Sequence, residues 1–332
     1  MKRRTFIASA AALATGALAR PTLAQSGPAP LKLTLNFLAG GPQAGFIYAK
    51  KLGLYERAGI NLTIEEGRGS ATTAQMVATG QTDIGYADAP AAMQIRSRGA
   101  PVTIIAPILQ TNAFAIISLE DSNIRQPQDL VGKRLAVQPG TAQTTLLNAI
   151  LAANNLAANR INVVNIDPAA LVGALLERRV DAILAGADFQ SIQIRERGHR
   201  INEILYRDAG VPTVGLSVIA REDKLRANAD LYKRFVDVSL QGWDEARRNQ
   251  QAAAAAVNEA FPSVTVPQVL GQLAVNVRFL CAPGAPSLGR VPDANWQRTY
   301  QLMIEYLEFP RERPVTDYYS NDYLPARAPA CS

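Results

Sequence analysis

Residues 33–62, with the sequence LTLNFLAGGPQAGFIYAKKLGLYERAGINL, decide the fold class of this 332-residue chain. Alternating apolar residues at the start predict a strand, which two glycines and a proline at residues 39–42 bring to an end. Apolar residues at helical spacing continue to Leu54, and Gly59 closes this helix before a second strand starts at Ile60. The order strand, glycine loop, helix and strand predicts an α/β unit.

Glycine-containing loops recur after other predicted strands. Residues 67–70 (GRGS) follow a strand at residues 60–65, and residues 138–141 (QPGT) follow a strand at residues 135–137. In open α/β sheets, such loops lie at the carboxyl edge of the strands, where free amides at helix starts bind small molecules. We therefore expect a small-molecule site at these loops.

Two short motifs carry a family resemblance, GLYERAG at residues 53–59 and GQTD at residues 80–83. With the order of elements around them, they resemble the periplasmic solute-binding proteins of ABC importers for nitrate, sulfonates, taurine and thiamine precursors. The resemblance is close over residues 31–106, looser to residue 216 and weak beyond, and it indicates no particular ligand. It implies a two-lobed α/β fold of the type II periplasmic-binding-protein class. Each lobe is then a mostly parallel sheet flanked by helices, and the ligand cleft lies between the lobes.

A weak internal echo supports two lobes that are built alike. Residues 76–88 and 175–188 each pass from a helix end through a polar turn into a strand, and each finishes on a carboxylate. Unrelated α/β units can share this profile by chance. Together with the family resemblance, it predicts lobe 1 at residues 31–113 plus 216–332 and lobe 2 at residues 114–215. Closure is then a hinge motion about the two crossing segments.

The resemblance implies ligand contacts at the loop ends of both lobes. The candidates are Phe37, Gln43, Arg68, Ser70 and Asp88 in lobe 1, Gln110 and Asn112 at the hinge, and Gly140, Thr141 and Asp188 in lobe 2. Arg68 with helix-start amides favours a small anion such as a sulfonate or carboxylate. Asp88 and Asp188 with flanking aromatics favour an amine-bearing heterocycle such as a pyrimidine. Both ligand classes stay open at this point, whereas a content of 6% aromatic residues argues against a sugar receptor.

Several candidates also have ordinary structural interpretations. Arg68, beside two glutamates, can be a solvated surface residue, and Asp88 can be a helix N-cap. Phe37, Tyr86 and Phe189 can flank a planar ring, although core packing is the more frequent use of such residues.

The first 24 residues have the pattern of an export signal. Basic residues at positions 2–4 precede an apolar run at residues 6–18, and small residues predict cleavage near Ala24. The sequence RRTFI at residues 3–7 fits a twin-arginine signal as well as an ordinary secretory signal. Without this segment, the formal net charge falls from +6 to +2, and no basic cluster interleaved with aromatics indicates a nucleic-acid partner. We therefore expect a periplasmic protein.

The remaining sequence features argue against catalysis. Cys281 and Cys331 can form one disulfide in an exported protein or remain free thiols. The single histidine, His199, lies among arginines without metal-ligand spacing, and we find no P-loop, no GxGxxG after a strand and no triad pattern. The related pyrimidine-synthesising enzymes use a cysteine-rich iron-binding stretch and histidines, which this chain lacks. We expect no enzymatic activity, no cofactor and no metal.

The resulting hypothesis is a monomeric receptor that closes two lobes around a small-molecule solute. It hands the solute to an inner-membrane ABC permease with its ATPase. A solute-binding sensor without transport is the main alternative, and a pyrimidine-synthesis-type enzyme is a further one.

Overall fold

The computed structural model describes residues 27–307, 309 and 313–331, so the export signal predicted at residues 1–24 lies outside the described residues. The strands are β1 (Ala29–Thr34), β2 (Ile60–Glu65), β3 (Ile84–Asp88), β4 (Val102–Pro107), β5 (Phe114–Leu119), β6 (Arg134–Val137), β7 (Asn162–Asn165), β8 (Ala182–Gly186), β9 (Ile201–Leu205) and β10 (Leu216–Arg221). The helices are α1 (Ala44–Lys51), α2 (Leu54–Arg57), α3 (Ser70–Ala78), α4 (Ala89–Ser97), α5 (Ala142–Thr145), α6 (Leu147–Ala153), α7 (Leu171–Leu176), α8 (Gln190–Glu196), α9 (Glu222–Ala227), α10 (Ala229–Arg248), α11 (Gln250–Ala260), α12 (Val266–Asn276) and α13 (Asp293–Tyr306).

Two five-stranded sheets, one in each lobe, share one topology. The first has the order β2-β1-β3-β10-β4, in which β10 runs antiparallel to both of its neighbours. The second has the equivalent order β7-β6-β8-β5-β9, in which β5 is the antiparallel strand. The predicted two-lobed α/β fold is confirmed, and each sheet is mixed because one strand enters it from the other lobe.

The chain crosses between the sheets twice, after β4 and before β10. The Asn112 side chain links the two crossing segments, because its Nδ2 donates hydrogen bonds to the Val211 carbonyl (3.1 Å) and to Thr213 Oγ1 (2.9 Å). The apolar sequence PTVGLSVIA at residues 212–220 predicts a return strand, but β10 begins only at Leu216. The residues before it bond to the first crossing segment instead, since Asn112 N–H donates to the Thr213 carbonyl and Gly215 N–H donates to the Leu109 carbonyl, both at 3.0 Å. The predicted lobe boundaries, at residues 113/114 and 215/216, lie next to the Asn112 hydrogen bonds. The boundaries themselves stay a prediction.

Two further elements of the structure differ from what the sequence predicts. The sequence of residues 142–154 predicts one helix, whereas the structure has two, α5 and α6. The hydroxyls of Thr144 and Thr145 in α5 donate to backbone carbonyls. The edge strand β9 was not predicted. Its sequence INEIL is only partly buried and follows an arginine-rich turn, so it lacks the apolar run that marks the central strands.

The core of lobe 1 depends on close contact between α1 and α10. Trp243 is fully buried, and an added Cβ atom on Gly45 would lie 2.3 Å from its ring. On the other helix, a Cβ atom on Gly242 would lie 2.4 Å from the Cβ atom of Ala49. The helices therefore approach as closely as glycine allows, and Trp243 packs in the core of lobe 1.

The C-terminal part of the chain braces both lobes. Helix α13 places Leu302 in the core of lobe 2, while the hydroxyl of Thr299 accepts a hydrogen bond from the Val214 backbone N–H at 2.9 Å. The tail then covers the edge of β4, where Ile104 N–H donates to the Tyr318 carbonyl at 3.1 Å. Within the described ranges, no helix combines the length and apolar character needed to cross a membrane.

Cys281 and Cys331 form a disulfide with their Cα atoms 5.8 Å apart. The bridge joins the tail to the segment that follows α12. Gln110 in the first crossing segment is anchored to the same region, since its Oε1 accepts from Ala282 N–H at 3.0 Å and its Nε2 donates to the Ser287 carbonyl at 2.8 Å.

We expect Gly45→Ala to lower the free energy of unfolding by about 2 kcal/mol, because the new methyl group overpacks the Trp243 contact. Gly173→Ala is the matched control within α7, where the nearest atom to an added Cβ is Glu177 Oε1 at 3.9 Å. The control should be neutral or stabilise by up to about 1 kcal/mol through helix propensity. Urea unfolding of the two variants measures both effects, and equal changes would contradict the packing described for α1 and α10.

Candidate ligand-binding site

A cavity of about 50 Å³ lies between the two lobes, at the ends of the strands that carry the predicted loops. From lobe 1 it is lined by Asn36, Phe37, Pro42, Gln43, Gly69, Ser70, Asp88, Leu109 and Leu216. The other lining residues are Asn112, Ala113, Phe114, Gln138, Thr141, Gln143, Gly186, Asp188, Phe189 and Gln190. Residues at the strand ends of both sheets therefore line one cavity.

Asp88 and Asp188 lie at equivalent places in the two sheets. Asp88 is the last residue of β3, and Asp188 follows the end of β8 by two residues. The side chains are almost fully buried, with Asp88 4% and Asp188 6% exposed. Each lobe thus supplies one carboxyl group to the cavity.

Asp88 is held by Ser70 and does not cap the helix that follows it. Ser70 Oγ donates to Asp88 Oδ2 at 2.9 Å, and the Asp88 backbone N–H donates back to Ser70 Oγ at 3.1 Å. Asp88 occupies the N-cap position of α4, but its side chain makes no capping hydrogen bond. The N-cap interpretation is therefore wrong, and the carboxyl group is available to the cavity.

The environment of the two carboxyl groups disfavours their charged form. Burial raises the pKa of Asp88 to about 7, although the Ser70 hydrogen bond lowers it, and the charge of Asp188 adds to the rise. Burial likewise raises the pKa of Asp188 to about 7. None of the residues that line the cavity is a lysine or an arginine. The site therefore suits a group that brings positive charge or N–H donors, and it disfavours an anion.

Two amide side chains of the lining also have unused hydrogen-bonding capacity. Gln43 Nε2 donates to Asn36 Oδ1 at 2.8 Å, but Gln43 Oε1 is buried without a partner among the described residues. Gln138 Nε2 in lobe 2 is likewise buried and unpartnered within the described part of the chain. Buried polar groups are normally hydrogen-bonded, so both atoms are suited to contact a bound molecule.

Aromatic rings from opposite lobes meet at the cavity. The rings of Phe37 and Phe189 are 5.5 Å apart between centroids and perpendicular to each other. Tyr86 does not line the cavity, because it is fully buried against Phe46 with centroids 4.8 Å apart. Its predicted role as a ring-flanking residue is replaced by core packing.

The rims of the lobes are in direct contact. The Ala71 backbone N–H donates to the Gly140 carbonyl at 2.9 Å across the cleft. A Cβ atom on Gly69, which has φ +133°, would lie 2.4 Å from this carbonyl oxygen. Only glycine at position 69 permits this approach, so the cleft is closed along this side.

Seven of the ten predicted contacts line the cavity, namely Phe37, Gln43, Ser70, Asp88, Asn112, Thr141 and Asp188. Three do not. Arg68 is exposed and lies in a groove outside the cavity. The side-chain amide of Gln110 is hydrogen-bonded to the segment after α12. Gly140 forms the contact between the rims of the lobes. Asn112 lines the cavity, but its amide already binds the crossing segments, so a further role in ligand binding stays a prediction.

The most informative residues missed by the sequence analysis are amides. Asn36 lies two residues after the end of β1, Gln138 directly follows β6, and the Gln190 side chain accepts a hydrogen bond from Gly186 N–H at 2.9 Å. Charged residues and glycines were chosen as candidates, whereas these amides were not. The signal that could have found the first two is their position, because each is the first polar residue after a strand that points to the cleft.

The sequence of residues 42–253 matches the family described as NMT1/THI5 like. This chain belongs to that family. The family resemblance predicted from the two short motifs is confirmed by this match, which spans well over half of the chain.

Two relatives of this NMT1/THI5 like protein show the range of the similarity. A binding protein of Brucella abortus (strain 2308) is 26% identical over 241 residues, which are 72% of each chain. The 4-amino-5-hydroxymethyl-2-methylpyrimidine phosphate synthase of Legionella pneumophila is 30% identical over 103 residues, 31% of this chain and 33% of that enzyme.

Among solved structures, the alkanesulfonate-binding protein of Xanthomonas axonopodis pv. citri bound to MOPS is similar with a TM-score of 0.69 and 18% identity. The similarity covers 89% of this chain and 99% of that one. It establishes the shared two-lobed fold.

The two raised pKa values predict that stability falls between pH 4 and pH 7. In this range the unfolded chain releases protons that buried Asp88 and Asp188 retain, so the folded state binds more protons and loses stability as the pH rises. Each group contributes at most about 1.4 kcal/mol per pH unit. Urea unfolding at pH 5, 6 and 7 should show a shallower decline for Asp188→Asn than for the wild type.

Asp230→Asn, an exposed residue in the first turn of α10, is the control for this experiment and should keep the wild-type decline. The same pH dependence in Asp188→Asn and in the wild type would show that Asp188 does not titrate in this range.

Proposed function

We propose that this protein is the periplasmic solute-binding component of an ABC importer, and that its solute is a small ring with an amine or a basic ring nitrogen. The observation that carries the proposal is the cavity between the lobes, which buried Asp88 and Asp188 line and which no lysine or arginine lines. Export, monomeric state and delivery to a permease with its ATPase belong to the same proposal.

The charge of the cavity favours one of the two ligand classes left open by the sequence. A sulfonate or carboxylate in this cavity would add a third acidic group to two buried carboxyl groups, at a large electrostatic cost. A nitrogen base has the opposite effect, because charge-assisted hydrogen bonds to the carboxylates offset the cost of burying them. Arg68, the residue that suggested an anion, lies outside this cavity.

The size of the cavity supports a small solute. Its volume of about 50 Å³ has room for only a few water molecules. Gln43 Oε1 and Gln138 Nε2 offer one acceptor and one donor in addition to the carboxyl groups. Such a set matches the edge of an aminopyrimidine, which alternates donors and acceptors.

The division of the site between lobes supports binding by hinge closure. Asp88, Ser70 and Gln43 belong to the first lobe, whereas Asp188 and Gln138 belong to the second. A solute that contacts both sets is bound fully only when the lobes are closed, so it favours the closed state by the free energy of the second set of contacts. The linked crossing segments beside Asn112 are the proposed hinge.

We further propose binding without turnover, although part of the chain is similar to a pyrimidine phosphate synthase. His199 lies in a separate surface depression with Glu120 and Arg178, and both cysteines are consumed by the disulfide. Among the described residues, no group of three or more His, Cys, Asp and Glu side chains could hold a metal ion. Incubation with a bound solute should therefore return it chemically unchanged.

Asp188→Asn should weaken binding of 4-aminopyrimidine about tenfold to a hundredfold, because it removes one charge-assisted hydrogen bond. Asp230→Asn, with the same change at an exposed site, should bind like the wild type. Isothermal titration calorimetry measures these affinities, and native mass spectrometry of protein purified from its own cells identifies the natural solute. Tight binding of ethanesulfonate or nitrate that survives Asp188→Asn would contradict the proposed solute class.

A further inference from the structure

A contact between α12 and α8 joins the two lobes at a place separate from the rim. Helix α12 belongs to lobe 1, where Leu273 packs in the core, and α8 belongs to lobe 2, where Ile194 packs in the core. A Cβ atom added to Gly271 of α12 would lie 2.8 Å from Ile192 Cγ2 of α8. The two helices therefore touch across the boundary between the lobes.

The apolar contact continues through the residue that precedes α8. A Cβ atom on Gly40 would lie 2.8 Å from Phe189 Cε2, and the ring of Phe189 also meets that of Phe37. We define the seam as Phe37, Gly40 and Gly271 of lobe 1 with Phe189 and Ile192 of lobe 2. The side chains that the seam brings together are apolar.

The lobe 2 side of the seam lies outside the cores of that lobe. Ala187 and Ile194, on either side of it in the sequence, pack in a core of lobe 2, whereas Phe189 and Ile192 belong to none of the apolar clusters of the described residues. Phe189 is nevertheless only 7% exposed, and Ile192 is half-buried. Separation of the lobes would return this apolar surface to water, which costs free energy. The seam therefore favours the closed state whether or not a solute is present.

Gln272 holds the lobe 1 side of the seam together. Its side chain is fully buried, and its Oε1 accepts a hydrogen bond from Gly41 N–H at 2.8 Å. This bond ties α12 to the loop at residues 40–43, which carries part of the seam and also Gln43 of the cavity. The seam is thus continuous with the wall of the cavity.

We propose that the seam is a latch that sets how much of the protein is closed before a solute binds, with Ile192 and Gly271 as the pair that can be tested apart from the cavity. A solute that requires the closed state binds with an apparent affinity that falls with the closed fraction. Neither Ile192 nor Gly271 lines the cavity, so both tune the affinity without contact to the solute. The inference rests on the hinge closure of the proposed function, and it is independent of the chemistry of the solute.

Gly271→Ala tests the latch from lobe 1. The three atoms nearest to the added Cβ all belong to Ile192, so the new methyl group collides across the boundary between the lobes. Ile192 is a β-branched residue in a helix, where one χ1 rotamer is strongly preferred, so its side chain does not readily turn away. Within α12, alanine is a better helix former than glycine. The substitution therefore disfavours closure without disfavouring the helix.

Ile192→Ala tests the latch from lobe 2, because it removes apolar contact. Each variant has a matched control away from the seam. Gly173→Ala lies within α7, where the nearest atom to an added Cβ is 3.9 Å away, and Ile95→Ala lies in α4, where Ile95 packs against a core of lobe 1. The truncation at Ile95 should lower the melting temperature but leave the lobes closed.

Double electron–electron resonance between two nitroxide labels measures the closed and open populations without any solute. The labels are attached at Ser263→Cys in lobe 1 and Glu196→Cys in lobe 2, both at exposed positions. The two native cysteines form the disulfide, so only the introduced thiols react. The labelled protein is freed of bound solute by dialysis in urea and refolding, and the short distance of the closed structure should then dominate in the wild type.

Ile192→Ala should lower the ratio of closed to open protein about tenfold, because it removes three carbon atoms from the apolar contact. Gly271→Ala should lower the ratio at least as much, since overpacking adds to the lost contact. Gly173→Ala and Ile95→Ala should keep the wild-type distances. A role of the seam in stability alone would instead lower the melting temperature of the two seam variants and leave their distances unchanged.

The latch is overturned if the solute-free wild type is mainly open, or if either seam variant keeps the wild-type distances. Calorimetric binding of 4-aminopyrimidine in such a case leaves the proposed function standing. If instead both seam variants open as expected but 4-aminopyrimidine does not bind to the wild type, the latch is supported and only the proposed solute class is wrong.

Discussion

The burial of two carboxyl groups against one small cavity is the constraint on which the site depends. Asp88 and Asp188 each lose most of their hydration, and only Asp88 gains a side-chain hydrogen bond in exchange, from Ser70. A protein that retains such a pair accepts lower stability near neutral pH unless a ligand supplies the missing partners. The cavity is therefore better explained as a binding site for a ligand that supplies these partners than as a packing defect.

The topology explains why both carboxyl groups reach the same place. Each sheet receives its one antiparallel strand from the chain that crosses between lobes, so the equivalent strand ends of the two sheets meet at the crossing. Asn112 links the crossing segments to each other, and Gln110 and the Cys281–Cys331 bridge tie the first of them to the C-terminal region. Helix α13 contacts both lobes, so the lobes are connected by more than the two crossing segments.

The family resemblance predicted the two-lobed fold and the seven contacts that line the cavity, and these contacts lie at strand ends and glycine loops, which are local features of the sequence. Their limits are also physical. Arg68 follows a strand, as the predicted contacts do, but it lies in a groove outside the cavity. Residue type alone cannot show the direction of a long side chain. Gln110 was placed near the solute, whereas a contact about 170 residues away in sequence consumes its amide. The amides of Asn36 and Gln138 were missed because nothing but strand position distinguishes them from surface residues.

The crystal structure of the protein with the solute that it carries from its own cells tests the central claim most directly. The account predicts one molecule between the lobes, with nitrogen atoms within about 3.2 Å of carboxyl oxygens of both Asp88 and Asp188. A solute that places an anionic group against these carboxyl groups, or one that binds outside the cavity between the lobes, would contradict it.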